Sequence, residues 1–447
     1  MKNIRMVLTM VLFSFGASTF GQEATKATVG TLDIDLAKAI EIALDENPTI
    51  KVADKDIALK QVANTEAWQS LLPTVSASAA LNHSIQVAAI KTQMGEFKMG
   101  MDGSTTATGA LTASLPIFAP AIYANMKLTK EDILLAQEKA RSSRLDLINQ
   151  VTKAYYAALL AKDSYEVMLK SYNVSKENFD VVNNKFIVGS VSEYDKISAE
   201  VQTRSMSSSV ISAQTGLTLS LLQLKVLMGI TENVELNITD NLRNYESTIS
   251  LADVNNAIME LDGNSALRQL DYNASLLQHT RKLLKTSFMP TVAAQYTYQY
   301  TSYSNENWKI WDYHFSPSST LAFSVSIPIF TASNWTKLKS NRIQQQQLQD
   351  TRQNTLNQLK MAVESYRKNM ASNLSQVESN KEAVTQANKA VSISSKRYEV
   401  GRGTILELNQ SETALTQAEL TYNQSIYEYL SNKADLDYTL GKETYLK

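Results

Sequence analysis

Cysteine is absent from the 447 residues, which removes disulfides, thiolate metal sites, cysteine nucleophiles and cysteine-linked lipid anchors together. Proline and glycine are scarce, at 7 and 14, so breakers are few and long uninterrupted elements are expected. Neither sign of charge predominates, with 43 basic and 44 acidic residues, and nothing electrostatic points to nucleic acid as a partner. Long apolar runs are missing too. Met6 to Phe15 is a compact apolar segment, but a bilayer-spanning helix needs about 20 such residues. With Lys2 and Arg5 before it and Gly16, Ala17, Ser18 and Gly21 after it, the segment reads as an export signal over residues 1–21, cleaved before Gln22. Beyond it no apolar stretch approaches transmembrane-helix length, so the exported chain is expected to lack helical anchors.

Catalytic groupings are equally hard to find. The histidines His83, His279 and His314 fall in a strand, a helix and a loop, too scattered for a metal site or a triad. Gly441-Lys442 ends like a phosphate-binding loop, but Leu436 stands where its first glycine belongs. Acidic pairs such as Glu131-Asp132 read as solvated helix charge. The expectation is no enzyme, no catalytic residue, no metal and no cofactor.

What the chain does contain is itself, twice. Leu44-Asp45-Glu46-Asn47 recurs as Leu261-Asp262-Gly263-Asn264, and Pro73-Thr74-Val75 as Pro290-Thr291-Val292. Leu115-Pro116-Ile117-Phe118 recurs as Ile327-Pro328-Ile329-Phe330, and Phe186-Ile187-Val188-Gly189 aligns with Tyr398-Glu399-Val400-Gly401. Met228-Gly229 aligns with Leu440-Gly441. Solenoid units repeat every 20–50 residues, so copies of about 210 residues mean a duplicated module. The first copy is placed at 22–230 and the second at 250–447, joined by a connecting, equatorial segment at 231–249.

Each copy opens with a helical stretch, about 33–70 and 250–286, and then changes texture. Val75, Ala77, Ala79 and Leu81 alternate with Thr74, Ser76, Ser78 and Asn82, and the same alternation runs from Thr106 to Ile117. In the second copy Val292, Ala294, Tyr296, Tyr298 and Tyr300 alternate with Gln295, Thr297, Gln299 and Thr301. Strands are expected over about 73–87, 105–118, 290–302 and 319–330. They are longer than the usual 5–6 residues and match the 9–11 that a tilted strand needs to cross an outer membrane. One face is apolar, the other is rich in small and hydroxyl side chains, and neither carries charge. Lipid outside and water inside explain that pattern better than a sandwich core. The intervening segments 88–105 and 302–317 read as surface loops, the second with Tyr303, Trp308, Trp311 and Tyr313, of which the two tryptophans read as interfacial aromatic anchors.

After each Pro-Ile-Phe the sequence runs without proline or glycine, from Ala121 to Val188 and from Ser333 to Val400. Long helices are expected over 121–188 and 333–400, each about 100 Å at 1.5 Å per residue. Gly189 and Gly401 turn the chain into second helices over 190–228 and 402–440, each stopped by a glycine. Narrow seams such as Leu217, Leu221, Leu224 and Met228 on otherwise polar helices suit a wall wetted on both sides. The fold class is therefore mainly α with membrane β. Four strands cannot close a barrel alone, and open edges in lipid cost several kcal/mol per unpaired group. Two copies would give eight strands and three would give twelve, the larger leaving an aqueous lumen.

The duplicated strand–strand–long-helix unit, the Pro-Ile-Phe strand ends and the Phe/Tyr-x-Val-Gly turns resemble the TolC-type outer-membrane efflux protein family. The resemblance implies a homotrimer with a 12-stranded β-barrel in outer-membrane lipid and a 12-helix α-barrel reaching into the periplasm. It implies a periplasmic adaptor (membrane fusion) protein and an inner-membrane pump of RND, ABC or MFS type as partners. The chain would be a passive, gated conduit of a tripartite efflux or type I secretion system, for drugs, metals or secreted proteins. By motif position it places a periplasmic gate at Asp195, Tyr398 and Glu407, with Arg402, one place off the family's gate arginine, as a pairing partner. Adaptor docking would fall on the helix turns, at Val188, Gly189, Ser190, Val400, Gly401 and Gly403. Three positions depart from the family pattern: Glu407 stands where the best-known member has an aspartate, Gln410 where an acid is found, and Gly403 where the gate arginine is found. Three carboxylates around a narrow axis would focus a negative field and favour cations. The alternative is an envelope-spanning structural or adhesin fibre, a coiled coil on a small barrel, which would show sustained heptads and no constriction.

Overall fold

The structure is a computed structural model and describes residues 31–93, 95–98, 101–231, 234–249, 261–304 and 313–442. The expected signal 1–21, the start of the expected helix at 250–260, and Trp308 and Trp311 lie outside the described residues.

The expected opening helix at 33–70 is three elements: β1 (Thr31–Ile34), α1 (Leu36–Glu46) and α2 (Pro48–Gln69). Pro48 forces the break, because a proline pushes the preceding residue out of the helical region, and Asn47 is extended at ψ 125°. Asn47 then caps α2, its Oδ1 accepting from the Thr49 amide at 2.8 Å. Next come β2 (Thr74–Ser84), a small hairpin of β3 (Ala89–Thr92) and β4 (Gly95–Lys98), and β5 (Ser104–Phe118). That hairpin lies in a segment expected to be loop; Asp102 closes it off, its carboxylate accepting from the Val87 amide and from Lys98.

The long helices follow: α3 (Pro120–Ile187, 68 residues) and α4 (Glu193–Leu227). The connector contains β6 (Glu235–Ile238), paired in parallel with β1, and a 3-10 turn at Leu242–Thr248. The second copy gives α5 (Ser265–Thr286), β7 (Thr291–Ser304), β8 (Ser316–Ser326), α6 (Ala332–Glu399, 68 residues) and α7 (Ile405–Leu440). The last strand stops short of the expected 330. Pro328 offers no N–H, and β8 is an edge strand with β7 as its neighbour, whereas Pro116, beyond the last β2 pair Thr74–Ser114, is held in β5 by Ala293 of β7 next to a register shift.

The four long strands form one antiparallel sheet in the order β2-β5-β7-β8. The register lines up Ala77, Leu111, Tyr298 and Ser319 across one face, and Ser78, Ala110, Gln299 and Ser318 across the other. Because side chains alternate, the first face also gathers Val75, Leu115, Tyr296, Leu321 and Phe323, and the second gathers Thr112, Thr297, Gln295 and Thr320. No charged side chain belongs to these four strands among the described residues. Among the described residues, both outer strands leave one edge unpaired.

The core lies among the helices at the level of the β1–β6 pair. Ile40, Val151, Tyr155, Leu159, Leu224, Met228, Leu242, Ile426 and Tyr429 are all almost fully buried there. The repeated Asn motif has a clear task at this level. Asn47 Nδ2 donates to the Leu227 carbonyl (2.8 Å) and Asn264 Nδ2 to the Thr439 carbonyl (2.7 Å), so each Asn starts one helix and finishes another. Gly441 (φ +67°) ends α7 against Gly263, so close that a Cβ would lie 2.1 Å from the Gly263 oxygen.

One expectation is corrected. Among the described residues α4 is long and apolar enough, by length and composition, to cross a membrane. Its Ile, Leu and Val residues are diluted by Ser, Thr and Gln, which hides the stretch from the eye. Ile197, Val201, Ile211, Leu219, Leu222 and Val226 of this helix are exposed on the single chain.

Candidate functional site

The two helix hairpins meet at the far end of the α-helical region. Val182 of α3, Ala199 of α4, and Ile405 and Leu408 of α7 are buried against one another there, with Phe179, Val191 and Tyr398 around them. Both turns use the same device. Gly189 (φ +74°) and Gly401 (φ +72°) adopt a left-handed conformation, and the amides of Ser190 and Arg402 reach back to the carbonyls of Lys185 and Arg397, each at 2.8 Å. Val188 and Val400 sit just before these glycines with about 70% of their surfaces exposed, at 73% and 68%. Of the expected docking residues, Val188, Gly189, Ser190, Val400 and Gly401 are exposed and Gly403 is half-buried.

Asp195 and Glu407 occupy equivalent positions in the two repeats, three residues after the helix caps Ser192 and Thr404. Their side chains do different things. Asp195 completes a capping box: its amide donates to Ser192 Oγ (3.2 Å), and its Oδ2 accepts from the Ser192 amide (3.1 Å) and hydroxyl (2.7 Å). Glu407 gives its amide to Thr404 Oγ1 (3.2 Å), but its carboxylate turns to Arg397, with Nη1 to Oε2 at 3.5 Å.

That pairing corrects the expected partner. Arg397 and not Arg402 holds Glu407, and Arg402 contributes its backbone carbonyl to Arg397 Nη2 at 3.2 Å. A Cβ at Gly403 would come within 3.1–3.2 Å of Arg397 and Tyr398, so the turn has little room for a side chain at the position where the family pattern has its arginine. The signal was present in the sequence as Lys185-Phe186 and Arg397-Tyr398, a cation before an aromatic ring in both copies.

Tyr398 is half-buried between the hairpins. Lys185 Nζ stands 4.8 Å above its ring, and Lys196 Nζ stands 5.0 Å from the Phe186 ring in the first turn. Burial, and after it the negative charge of Asp195, hold the Tyr398 phenol above its ordinary range. Its hydroxyl is buried without a hydrogen-bond partner, a donor held beside the acid of the other hairpin. Gln410 is exposed and lines a groove between α4 and α7 with Tyr194, Ile197, Val201 and Leu406. No group of three or more metal-ligating side chains occurs among the described residues.

The sequence profile of the outer membrane efflux protein family matches residues 39–230 and 259–442. The chain is 20% identical over 425 residues to outer membrane protein TolC of Vibrio cholerae, covering 93% of each. It is 22% identical over 220 residues to the alkaline protease secretion protein AprF of Pseudomonas aeruginosa, covering 49% of this chain and 44% of that one. Its fold superposes on the solved structure of CusC, described in terms of transmembrane channel formation, with a TM-score of 0.73, 15% identity and 92% coverage of both. The chain belongs to the outer membrane efflux protein family. It is an outer-membrane channel protein extending into the periplasm, and the fibre alternative gives way to that.

Proposed function

We propose that three copies join their four-stranded sheets edge to edge into a 12-stranded barrel, continued by a 12-helix tunnel whose mouth is the paired hairpin tip. The observation that carries this reading is the sheet itself. It has one apolar face, one hydroxyl and amide face and two unpaired edges, a combination that hydrocarbon tolerates only when the edges are closed. Lipid meets the face of Leu111, Leu321 and Phe323, and water fills the lumen lined by Thr112, Thr297 and Gln299. The exposed apolar stripe of α4 packs against the next protomer.

At the mouth Asp195, Tyr398 and Glu407 form the constriction, with Arg397 as the partner that restrains Glu407. The α6–α7 hairpin is the moving part, because its acid is held by an exposed ion pair and not by a capping box. The rim of Val188, Gly189, Ser190, Val400, Gly401 and Gly403 receives a periplasmic adaptor, which links the tunnel to an inner-membrane pump. The chain acts on its cargo by conduction and performs no chemistry on it. Planar-bilayer recording tests the gate: neutralising Asp195 and Glu407 together should raise conductance or weaken cation preference. If both stay as in the wild type, the constriction lies elsewhere. A monodisperse monomer after gentle extraction would sink the shared barrel.

A further inference from the structure

A cavity of about 230 Å³ lies between α3, α7 and the connector, about 50 Å along α3 from its tip at 1.5 Å per residue. Its walls are mostly apolar. They include Leu145, Ile148 and Leu430 and the rings of Tyr156 and Tyr245, which meet edge to face at 5.3 Å. Lys433 and the Asp437–Lys442 ion pair also line it, and two further polar atoms of the lining lack a hydrogen-bond partner, Asn149 Oδ1 and Thr152 Oγ1. Thr152 is more than nine-tenths buried, at 7% exposure.

The orientation of the Asn149 amide is fixed. Its Nδ2 donates to Asp435 Oδ1 at 3.0 Å, and a carboxylate can only accept, so reversing the amide would set oxygen against oxygen. The orphan is therefore an acceptor that requires a donor. Thr152 stands three residues further along α3, on the same face, where neighbouring Cβ atoms are about 5–6 Å apart. Its hydroxyl can donate or accept. A buried polar atom left unpaired costs about 1–3 kcal/mol, so the pair together favours an occupant that satisfies both.

We propose that this cavity is a binding site for a compact aromatic alcohol. One ligand hydroxyl donates to Asn149 Oδ1 and accepts from Thr152 Oγ1, while the ring lies against Tyr156, Tyr245 and the leucines. A carboxylate lacks the donor that Asn149 requires, and a plain hydrocarbon leaves both polar atoms unpaired. Size is adequate, since an apolar cavity of about 150 Å³ admits benzene. The ligand touches both repeats and the connector, so occupancy stabilises the folded protomer by mass action. The site is independent of the gate: it requires neither an open nor a closed tip.

The test uses the full-length channel in nanodiscs, with empty nanodiscs as the blank, read by fluorine NMR. 4-Fluorophenol should bind saturably, one per chain, about tenfold or more tighter than fluorobenzene, and 4-fluorobenzoate should not saturate. The double variant Asn149→Leu/Thr152→Val should keep wild-type conductance and reduce the preference for the phenol to within about twofold. Should that variant fail to conduct, Thr152→Val alone should reduce the preference about threefold. Equal affinities in the wild type, a preference that survives in the variants, or crystals soaked in phenol that hold water alone in the cavity would overturn the proposal.

Discussion

Removing the Arg397 guanidinium should loosen the mouth of the tunnel, and its size can be worked from the ion pair. Arg397 Nη1 and Glu407 Oε2 are 3.5 Å apart, with side chains 53% and 46% exposed, so solvent screens the attraction strongly. Exposed pairs of this kind contribute about 0.2–1 kcal/mol. Taking about 0.5 kcal/mol in each of three protomers gives about 1.5 kcal/mol, or about tenfold in the closed-to-open ratio. Arg397 also donates to the Arg402 carbonyl at 3.2 Å, which moves the expectation upward and not down. Arg397→Ala should therefore raise open probability in planar bilayers about tenfold or more, and the gain should shrink at 1 M salt, where the Debye length is about 3 Å. Arg402→Ala should stay within about twofold of wild type, because its contribution is a backbone oxygen that alanine also carries. The reverse outcome, with Arg402→Ala opening the channel and Arg397→Ala silent, would refute the pairing and restore the partner expected from the family pattern.

Five further substitutions test other levels of the structure. Asn47→Ala and Asn264→Ala each remove a helix cap and a bond to the end of a second helix, and each should lower stability by about 1–3 kcal/mol in denaturant or thermal melts; a change below the error of the melts would refute the double-cap role. Glu412 is buried at 7% exposure, with Oε1 accepting from Asn178 at 2.5 Å and Oε2 unpartnered, and burial raises its pKa above the ordinary 4.5. A raised carboxyl penalises the folded state when ionised, so wild-type stability should climb as pH falls from 7 towards 5, and Glu412→Gln should be more stable at pH 7 and lack that climb in melts across the range. On β8, Leu321→Lys should impair membrane assembly by about 2–4 kcal/mol, whereas the adjacent Ala322→Lys should assemble and shift ion selectivity in bilayer recordings.

The parts of this fold that were legible in the sequence are those governed by periodicity and by breakers. Alternation from Thr74 and from Thr291 marked strands because lipid and water impose opposite demands on successive side chains. The absence of proline and glycine marked two helices that the structure gives as 68 residues each. What escaped were features set by a single residue in contact with something distant. Pro48 splits a helix that the apolar spacing runs straight through. Pro116 and Pro328 occupy the same repeat position, yet one lies in a strand and the other beyond it, because neighbours and not sequence decide. At the tip, motif position pointed to Asp195, Tyr398 and Glu407 as gate candidates and did not point to Arg397, whose pairing with Glu407 across the turn can be read only once the turn is folded.

Duplication leaves the two hairpins of the tip with equivalent acids that are held in different ways. Both copies inherit a Ser or Thr cap with an acid three residues on, and in the first copy that acid closes the box and is consumed by its own helix. An Asp carboxylate on its shorter stem is spent there, with Ser192 amide and hydroxyl both donating to one oxygen. In the second copy the longer Glu407 leaves its box half made and reaches Arg397, which lies across the turn on the preceding helix. A capping bond is local and survives any rigid movement of the hairpin, whereas the Glu407–Arg397 contact is solvent-exposed and within reach of a docking partner's charges. One methylene of difference between two equivalent acids thus divides a symmetric pair into a carboxylate bound within its own helix cap and one paired across the turn, the asymmetry on which the proposed gate relies. Shortening Glu407 or lengthening Asp195 would be expected to blur that division before it altered the barrel or the long helices at all.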